Sequence, residues 1–265
     1  MMMTHLMRRQ TGPIRAIQQR MRLAAWFALP LLMIFLAREA HAACRQALVF
    51  GLDVSGSVDS QEYRLQLSGL AAALRHPDVV DALLALPSAP VQLAIFEWSA
   101  PTYQRQLLNW TAITNKVTLM QIATRLDSTT RGPAPPGTAL GTAMQTGAAL
   151  LADQSACWKR TLDISGDGKH NQGPHPRAVK QRLEAQSMTL NALVIGADTT
   201  GIGDQRQVEI GELAAYFEAW VILGPDAFVE TALGFEDYEA AMVRKLKREL
   251  QGPVLSSLSV QGLKP

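Results

Sequence analysis

The sequence contains few of the residues that build redox, zinc and nucleic-acid sites. Of its 265 residues, two are cysteines, five are histidines and 6% are aromatic. The absence of a CxxC pair and the scattering of the histidines argue against a zinc or thiol-redox centre. The sequence also lacks a basic stripe with interleaved aromatic residues, so we expect no nucleic-acid partner. A content of 48% hydrophobic and 18% charged residues is typical of an ordinary globular domain.

The N-terminal segment has an apolar run that is short for a membrane span. Five arginines between residues 8 and 22 precede an uncharged run from Leu23 to Ala37. Its length of roughly fifteen residues is below the ~20 that a spanning helix needs. Ala40 and Ala42 supply the small residues that a signal peptidase reads. We interpret residues 1–42 as a cleaved secretory signal peptide, with an uncleaved anchor as the alternative.

Cleavage would change the net charge of the protein. The whole chain carries a formal charge of +2, but six of its 25 Lys and Arg and one of its 23 Asp and Glu lie in residues 1–42. The remainder has 19 basic and 22 acidic residues, a charge near −3. We therefore expect an exported protein, periplasmic or secreted, with no membrane span after cleavage. It would consist of one domain, residues 43–252, and a weakly patterned C-terminal tail, residues 253–265.

The two cysteines, Cys44 and Cys157, form an even pair in a protein predicted to meet an oxidising compartment. Each lies just before a predicted strand, at Arg45 to Leu52 and at Lys159 to Ser165. Adjacent parallel strands would bring the two thiols together at one end of a sheet. We expect a disulfide, and two separate thiols are the alternative.

The chain from residue 43 alternates short apolar runs with amphipathic stretches. The apolar runs predict strands at Ala47–Leu52, Val91–Trp98, Arg160–Ile164, Leu190–Ile195 and Ala219–Leu223. Apolar residues at helical spacing predict helices within 60–74, 114–126, 140–151, 179–183 and 235–250. Several strands are too apolar to have a solvated face. The predicted fold is α/β, with a doubly wound, mainly parallel sheet between two helical layers.

In such a sheet, ligands bind at the carboxyl ends of the strands. Asp53, Ser55 and Ser57 follow the first predicted strand, Asp167 follows a central one, and Thr138 precedes a predicted helix. Carboxylate and hydroxyl oxygens are ligands for hard cations such as Mg2+, Mn2+ or Ca2+. These loops are therefore where we expect the chemistry of the protein.

These residues resemble the metal-ion-dependent adhesion site, or MIDAS, of von Willebrand factor type A (vWA) domains. The pieces are a DxSxS sequence after the first strand, a Gly-Thr in a later loop, and SGDG after a central strand. The resemblance covers about residues 45–250. Stretches such as "ALVFGLDVSGSVDSQEYRLQ" and "ILGPDAFVETALGFEDY" are most similar to an uncharacterised, exported bacterial branch of that family.

The resemblance implies a role for each residue. The hydroxyls of Ser55 and Ser57 would bind the cation, and Thr138 would add a third, directly or through water. Asp53 and Asp167 would hold metal-bound waters and balance charge. Mg2+ is the expected ion, with Mn2+ or Ca2+ as alternatives. The cation would keep an open position for a carboxylate of a protein or another ligand.

Recognition without turnover is the expected function, because the sequence shows no base poised beside the ion and no evident nucleophile. The protein is therefore predicted not to be an enzyme. Two alternatives stay open at this point. One is a metal-assisted hydrolase that uses the same oxygens to activate water, and the other is a structural envelope protein with an empty site.

Each site residue also has a simpler interpretation. Thr138 could cap the following helix, and Pro136 departs from the Gly-Gly-Thr that related sequences often show. The DxSxS residues could form a capped turn, and Asp167 could be a turn residue before Gly168. Four further residues are weaker candidates for ligand contacts: Trp98, Ser99, His170 and Asn171. We do not expect His175 to be a ligand, and Asp198–Asp204 reads as a flexible connection.

Overall fold

The computed structural model describes residues 44–196 and 204–250, with the side chains of residues 204–206 left out. Within these ranges a six-stranded sheet has the order β3-β2-β1-β4-β5-β6. All neighbouring strands are parallel except β3, which pairs antiparallel with β2. The strands are β1 Cys44–Asp53, β2 Val91–Trp98, β3 Gln104–Ile113, β4 Cys157–Gly166, β5 Thr189–Ile195 and β6 Val229–Ala232. The predicted α/β fold is confirmed.

Helices pack on both faces of the sheet, and β1, β2 and β5 carry buried apolar residues on both sides. Along β1, Leu48, Phe50 and Leu52 pack into one core cluster with residues of α1, α2, α3 and α7. Ala47 and Val49 face the other cluster, which includes residues of α4, α5 and α6. The helices are α1 Ser60–Arg75, α2 Pro77–Leu84, α3 Lys116–Ser128, α4 Leu140–Ala152, α5 Pro176–Leu183, α6 Asp204–Trp220 and α7 Tyr238–Leu250.

The first helix begins directly after the DxSxS turn, and its start is encoded locally. Asp59 accepts hydrogen bonds from the backbone N–H groups of Gln61 and Glu62, and the Glu62 side chain accepts one from the N–H of Asp59. The three-residue spacing of the two acids is that of a reciprocal capping box. It sets the point where the turn ends and the helix begins.

The strand order reverses at β1, which has β2 on one side and β4 on the other. A crevice opens at such a switch point, outside the carboxyl ends of the strands. Asp53 is the last residue of β1, and Asp167 directly follows β4. The topology thus places the two acids of the predicted site at the same end of adjacent strands.

The predicted disulfide is confirmed. Cys44 and Cys157 are paired residues of β1 and β4, and their sulfur atoms are bonded. They are the first residues of their strands, so the bridge lies at the opposite end of the sheet from Asp53. Among the helices that the structure describes, none has the length and apolar content to cross a membrane.

Three parts of the predicted secondary structure were wrong or missing. Ala219–Leu223 is not a strand: α6 extends to Trp220, and Leu223 forms an isolated antiparallel bridge with Leu190. The edge strands β3 and β6 were not predicted, because their mixed polar sequences resemble loops. Helices α2 and α6 were also missed. The predicted signal peptide, the tail at 253–265 and residues 198–203 lie outside the described residues.

Candidate metal centre

The turn after β1 aims three oxygen-bearing side chains toward the sheet end. The N–H of Ser55 donates to Asp53 Oδ1 at 2.8 Å, which folds the chain back over the aspartate. The hydroxyls of Ser55 and Ser57 lie 3.2 Å apart. Behind them, Gln66 Nε2 donates to the carbonyl oxygen of Asp53 at 2.9 Å. The turn thus brings two hydroxyls to one point beside a buried carboxylate.

A second loop joins this turn from 110 residues away. Ser57 Oγ donates to Asp167 Oδ1 at 2.7 Å, so the loop after β4 is bonded directly to the loop after β1. This contact confirms that the two loops meet in space. Asp167 is therefore more than a turn residue before Gly168.

The third loop, with Thr138, is attached to both of the others. The N–H of Gly56 donates to the carbonyl oxygen of Pro136 at 3.0 Å. On the other side, the N–H of Thr138 donates to Asn171 Oδ1 at 2.8 Å, and Asn171 Nδ2 donates to Thr138 Oγ1 at 3.4 Å. Thr138 does not cap α4, since the cap position is Ala139 and carries no side-chain bond.

The loops approach each other closely at Gly56, Pro136 and Gly137, which limits the residues that fit there. A Cβ placed on Gly56 would lie 2.7 Å from Pro136 Cβ, and one on Gly137 would lie 2.2 Å from the side chain of Gln172. A side chain at Gly56 would push the two loops apart, whereas the flexible end of Gln172 could move aside for one at Gly137. Pro136 lacks an N–H, but the loop uses its carbonyl oxygen instead, so the departure from Gly-Gly-Thr does not prevent the loops from meeting.

The two acids are placed where a negative charge is unfavourable. Asp53 is fully buried, and its Oδ2 has no hydrogen-bond partner within the described residues. Burial, followed by repulsion from Asp167, raises the pKa of Asp53 well above its ordinary value. Burial also raises the pKa of Asp167. A bound cation would relieve this cost by neutralising both groups.

The donor set fits a hard divalent cation better than a softer metal ion that takes thiolate or imidazole ligands. In the described ranges, no group of three or more His, Cys, Asp or Glu side chains could hold a metal ion. A cation at this point would depend on the hydroxyls of Ser55, Ser57 and Thr138, with Asp53 and Asp167 beside them. Oxygen-only sets of this kind suit Mg2+, Mn2+ or Ca2+.

The four weaker candidates for ligand contacts differ in their burial and in their hydrogen-bond partners. Trp98 and Ser99 are fully buried, so neither side chain is exposed to a ligand, although both carry a polar atom without a hydrogen-bond partner among the described residues. His170 is half-buried and packs edge-on against His175, whose Nδ1 accepts the N–H of Arg177 at 3.2 Å. Burial, followed by the neighbouring His175, lowers the pKa of His170. Asn171 contacts Thr138, as described above.

Sequence reasoning missed a buried polar cluster on the opposite face of β2. Glu97 accepts hydrogen bonds from Tyr63 at 3.0 Å and Tyr103 at 2.6 Å, and it pairs with Arg105 at 2.7 Å. Arg105 also donates to the carbonyl oxygen of Thr130 at 3.0 Å, and Tyr63 Oη lies 3.4 Å from the same oxygen, at the start of the loop that carries Thr138. Glu97 is an acid within a mostly apolar strand, and this was the sequence signal that could have revealed the cluster.

Solved structures with the same fold include a mussel protein and a bacterial adhesin. Proximal thread matrix protein 1 from the mussel byssus superimposes with a TM-score of 0.52 and 16% identity over 79% of this chain and 47% of its own. The pilus adhesin SpaC from Lactobacillus rhamnosus GG gives 0.55 and 14%, over 78% of this chain and 31% of its own. One structure of the mussel protein is described as having a zinc-occupied MIDAS motif. This chain spans less than half the length of either protein.

The sheet order, the two helical layers and the likeness to these structures define a von Willebrand factor type A fold. The chain belongs to the family described as "Protein of unknown function (DUF1194)", which matches residues 43–254. No curated protein matches the chain in sequence.

Proposed function

We propose that the protein is an exported, non-enzymatic binding domain that engages its partner through a divalent cation. Ser55, Ser57 and Thr138 supply hydroxyl ligands, while Asp53 and Asp167 accept hydrogen bonds from metal-bound waters. Mg2+ is the proposed ion. The bond between Ser57 and Asp167 carries the proposal, because it joins two of the three loops at the point where the hydroxyls meet.

The charge balance supports binding rather than hydrolysis. Hydroxyl ligands bring no negative charge into direct contact with the ion, and the two aspartates act through water, so an incoming carboxylate is favoured at the open position. Hydrolytic metal sites instead use several carboxylate or histidine ligands around an activated water. The zinc-occupied motif of the mussel protein supports cation binding by this fold. We propose a protein or another ligand presenting a carboxylate as the partner.

The test is the thermal stability of the purified, exported protein with and without cation. A ligand at 100 times its Kd stabilises the folded state by about 2.7 kcal/mol, which we expect to raise Tm by roughly 5–10 °C for a domain of this size. Asp53→Asn keeps the shape of the turn but removes the buried charge, so the response to Mg2+ and Mn2+ should disappear. Asp59→Asn is the matched control, since Asn also caps a helix and Asp59 is exposed in the same loop.

Three results would count against the proposal. A wild-type protein whose Tm ignores Mg2+, Mn2+ and Ca2+ has no cation site of this kind. An Asp53→Asn variant with the full response would place the site elsewhere. Cation-dependent turnover of a phosphate or peptide ester, lost in Asp53→Asn, would favour the hydrolase. Cation-dependent binding of a Glu-containing peptide, and not of its Gln counterpart, is the expected sign of carboxylate recognition.

A further inference from the structure

Arg131 is bonded to the backbone of the DxSxS turn from a loop 73 to 77 residues away. Its Nη2 donates to the carbonyl oxygens of Val54 at 3.1 Å and Val58 at 3.0 Å, and it lies 3.4 Å from the carbonyl oxygen of Ser55. The side chain is half-buried against the turn. One guanidinium nitrogen therefore contacts carbonyl groups on both sides of Ser57.

The turn has few other partners for its carbonyl groups. Its N–H groups are bonded to several different acceptors: Val54 to the carbonyl of Trp98, Ser55 to Asp53 Oδ1, Gly56 to the carbonyl of Pro136, and Val58 to the carbonyl of Ser55. Two of these four bonds leave the turn, to Trp98 and to Pro136, so the turn is not held by a regular ladder of its own. Buried backbone groups need partners, and Arg131 supplies one for the carbonyl oxygens of Val54 and Val58, while that of Ser55 also accepts from the N–H of Val58.

Arg131 does this without consuming a candidate metal ligand. The hydroxyl of Ser57 is bonded to that of Ser55 and to Asp167 Oδ1, whereas Arg131 bonds only backbone oxygens among the described residues. Its charge acts in the opposite direction, because a cation near the site repels a metal ion. If Arg131 mainly orients the turn, removing it should weaken cation binding. If its charge repulsion dominates, removing it should strengthen cation binding.

We infer that Arg131 is a positioning residue that holds the Val54–Val58 turn in the shape that directs the serine hydroxyls to the cation. This inference rests on the proposed cation site. It gives the loop 131–138 two functions: Thr138 at its end supplies a ligand, and Arg131 at its start holds the other two in place. Outer partners of this kind are worth about 10- to 100-fold in metal affinity.

The test compares Arg131→Gln with Arg64→Gln in the full exported protein. Arg64 is a matched control, because its guanidinium also donates to backbone carbonyls, those of Asp127 and Thr129 at the beginning of the same connection. Calorimetric titration with Mn2+ should show a loss of about tenfold or more in affinity for Arg131→Gln and no comparable loss for Arg64→Gln. A second measurement, amide hydrogen exchange of residues 54–58 in the metal-free proteins, should show about tenfold faster exchange for Arg131→Gln alone.

The two measurements separate the possible failures. If Arg131→Gln binds Mn2+ as tightly as the wild type, or more tightly, orientation by Arg131 does not control the site and the inference is wrong. An equal loss in Arg64→Gln would assign the effect to the whole connection and also overturn it. A wild-type protein that binds no Mn2+ would refute the proposed function, while unchanged exchange at residues 54–58 would refute the positioning role itself.

Discussion

Asn171 and Thr138 are joined by three hydrogen bonds that use both backbone and side chain. Thr138 N donates to Asn171 Oδ1 at 2.8 Å, the N–H of Asn171 donates to the carbonyl of Thr138 at 3.1 Å, and Asn171 Nδ2 donates to Thr138 Oγ1 at 3.4 Å. An amide side chain is suited to this pairing because it offers a donor and an acceptor together. Asn171 thus orients a candidate ligand, in addition to any contact with a partner.

Asn171→Ala should therefore weaken cation binding while leaving the domain folded. We expect Mn2+ affinity to fall by about tenfold, with a stability loss of about 1 kcal/mol from the missing side-chain bonds. Calorimetric titration and urea unfolding measure the two effects. Asn109→Ala, at an exposed position of β3, should change neither. Wild-type affinity in Asn171→Ala would show that Thr138 needs no such support.

The disulfide between Cys44 and Cys157 closes a loop of 113 residues and should contribute substantially to stability. Cross-linking limits the freedom of the unfolded chain, and such bridges contribute about 2–5 kcal/mol. We expect Cys44→Ser to lower the free energy of unfolding by this amount in urea titrations. Reductant should destabilise the wild type to the same degree and leave Cys44→Ser/Cys157→Ser unaffected. Two free thiols in a mass spectrum of the exported protein would contradict the prediction.

A buried ionic cluster between α7 and the sheet should make stability depend on pH. Lys245, Asp163 and Glu249 are buried together; Lys245 bonds to Asp163 and lies 3.5 Å from Glu249 Oε2. Burial, followed by repulsion from Asp163, raises the pKa of Glu249 well above its ordinary value, although Lys245 and Lys159 oppose the shift. Asp163 and Glu249 share the single ammonium of Lys245, so we expect Glu249 to keep its proton.

The sign of the effect follows from the direction of this shift. An acid whose pKa is higher in the folded state favours folding when protonated, and this contribution is lost as pH rises from its unfolded pKa to its folded pKa. Glu249→Gln stays neutral, so its stability relative to the wild type should increase as the pH is raised from about 5 to about 8. Urea unfolding at both pH values measures this difference. Glu239→Gln, exposed on the same helix, should show no such trend, and a flat difference for Glu249→Gln would refute the retained proton.

The interior of the fold could be predicted from the sequence because its signals are local. The apolar runs within β1, β2 and β5 mark buried strands, and the capping box at Asp59 and Glu62 marks a helix start by spacing alone. In β4 the apolar residues alternate with polar ones, so its signal is weaker. The edge strands β3 and β6 carry polar residues and have a neighbour on one side only, so their pairing depends on the sheet already present. The apolar residues Val221 to Leu223 resemble a strand but follow the end of α6.

The sequence by itself determined the candidate ligands, the two cysteines and the alternation of strands and helices, since each depends on residue type and short spacing. The tertiary structure decided which distant groups meet. The contacts of Asp167 with Ser57, of Asn171 with Thr138 and of Arg131 with the Val54–Val58 turn join residues that are 33 to 110 positions apart. Such contacts follow from strand order and loop geometry, which arise when the whole sheet assembles, and no local pattern encodes them.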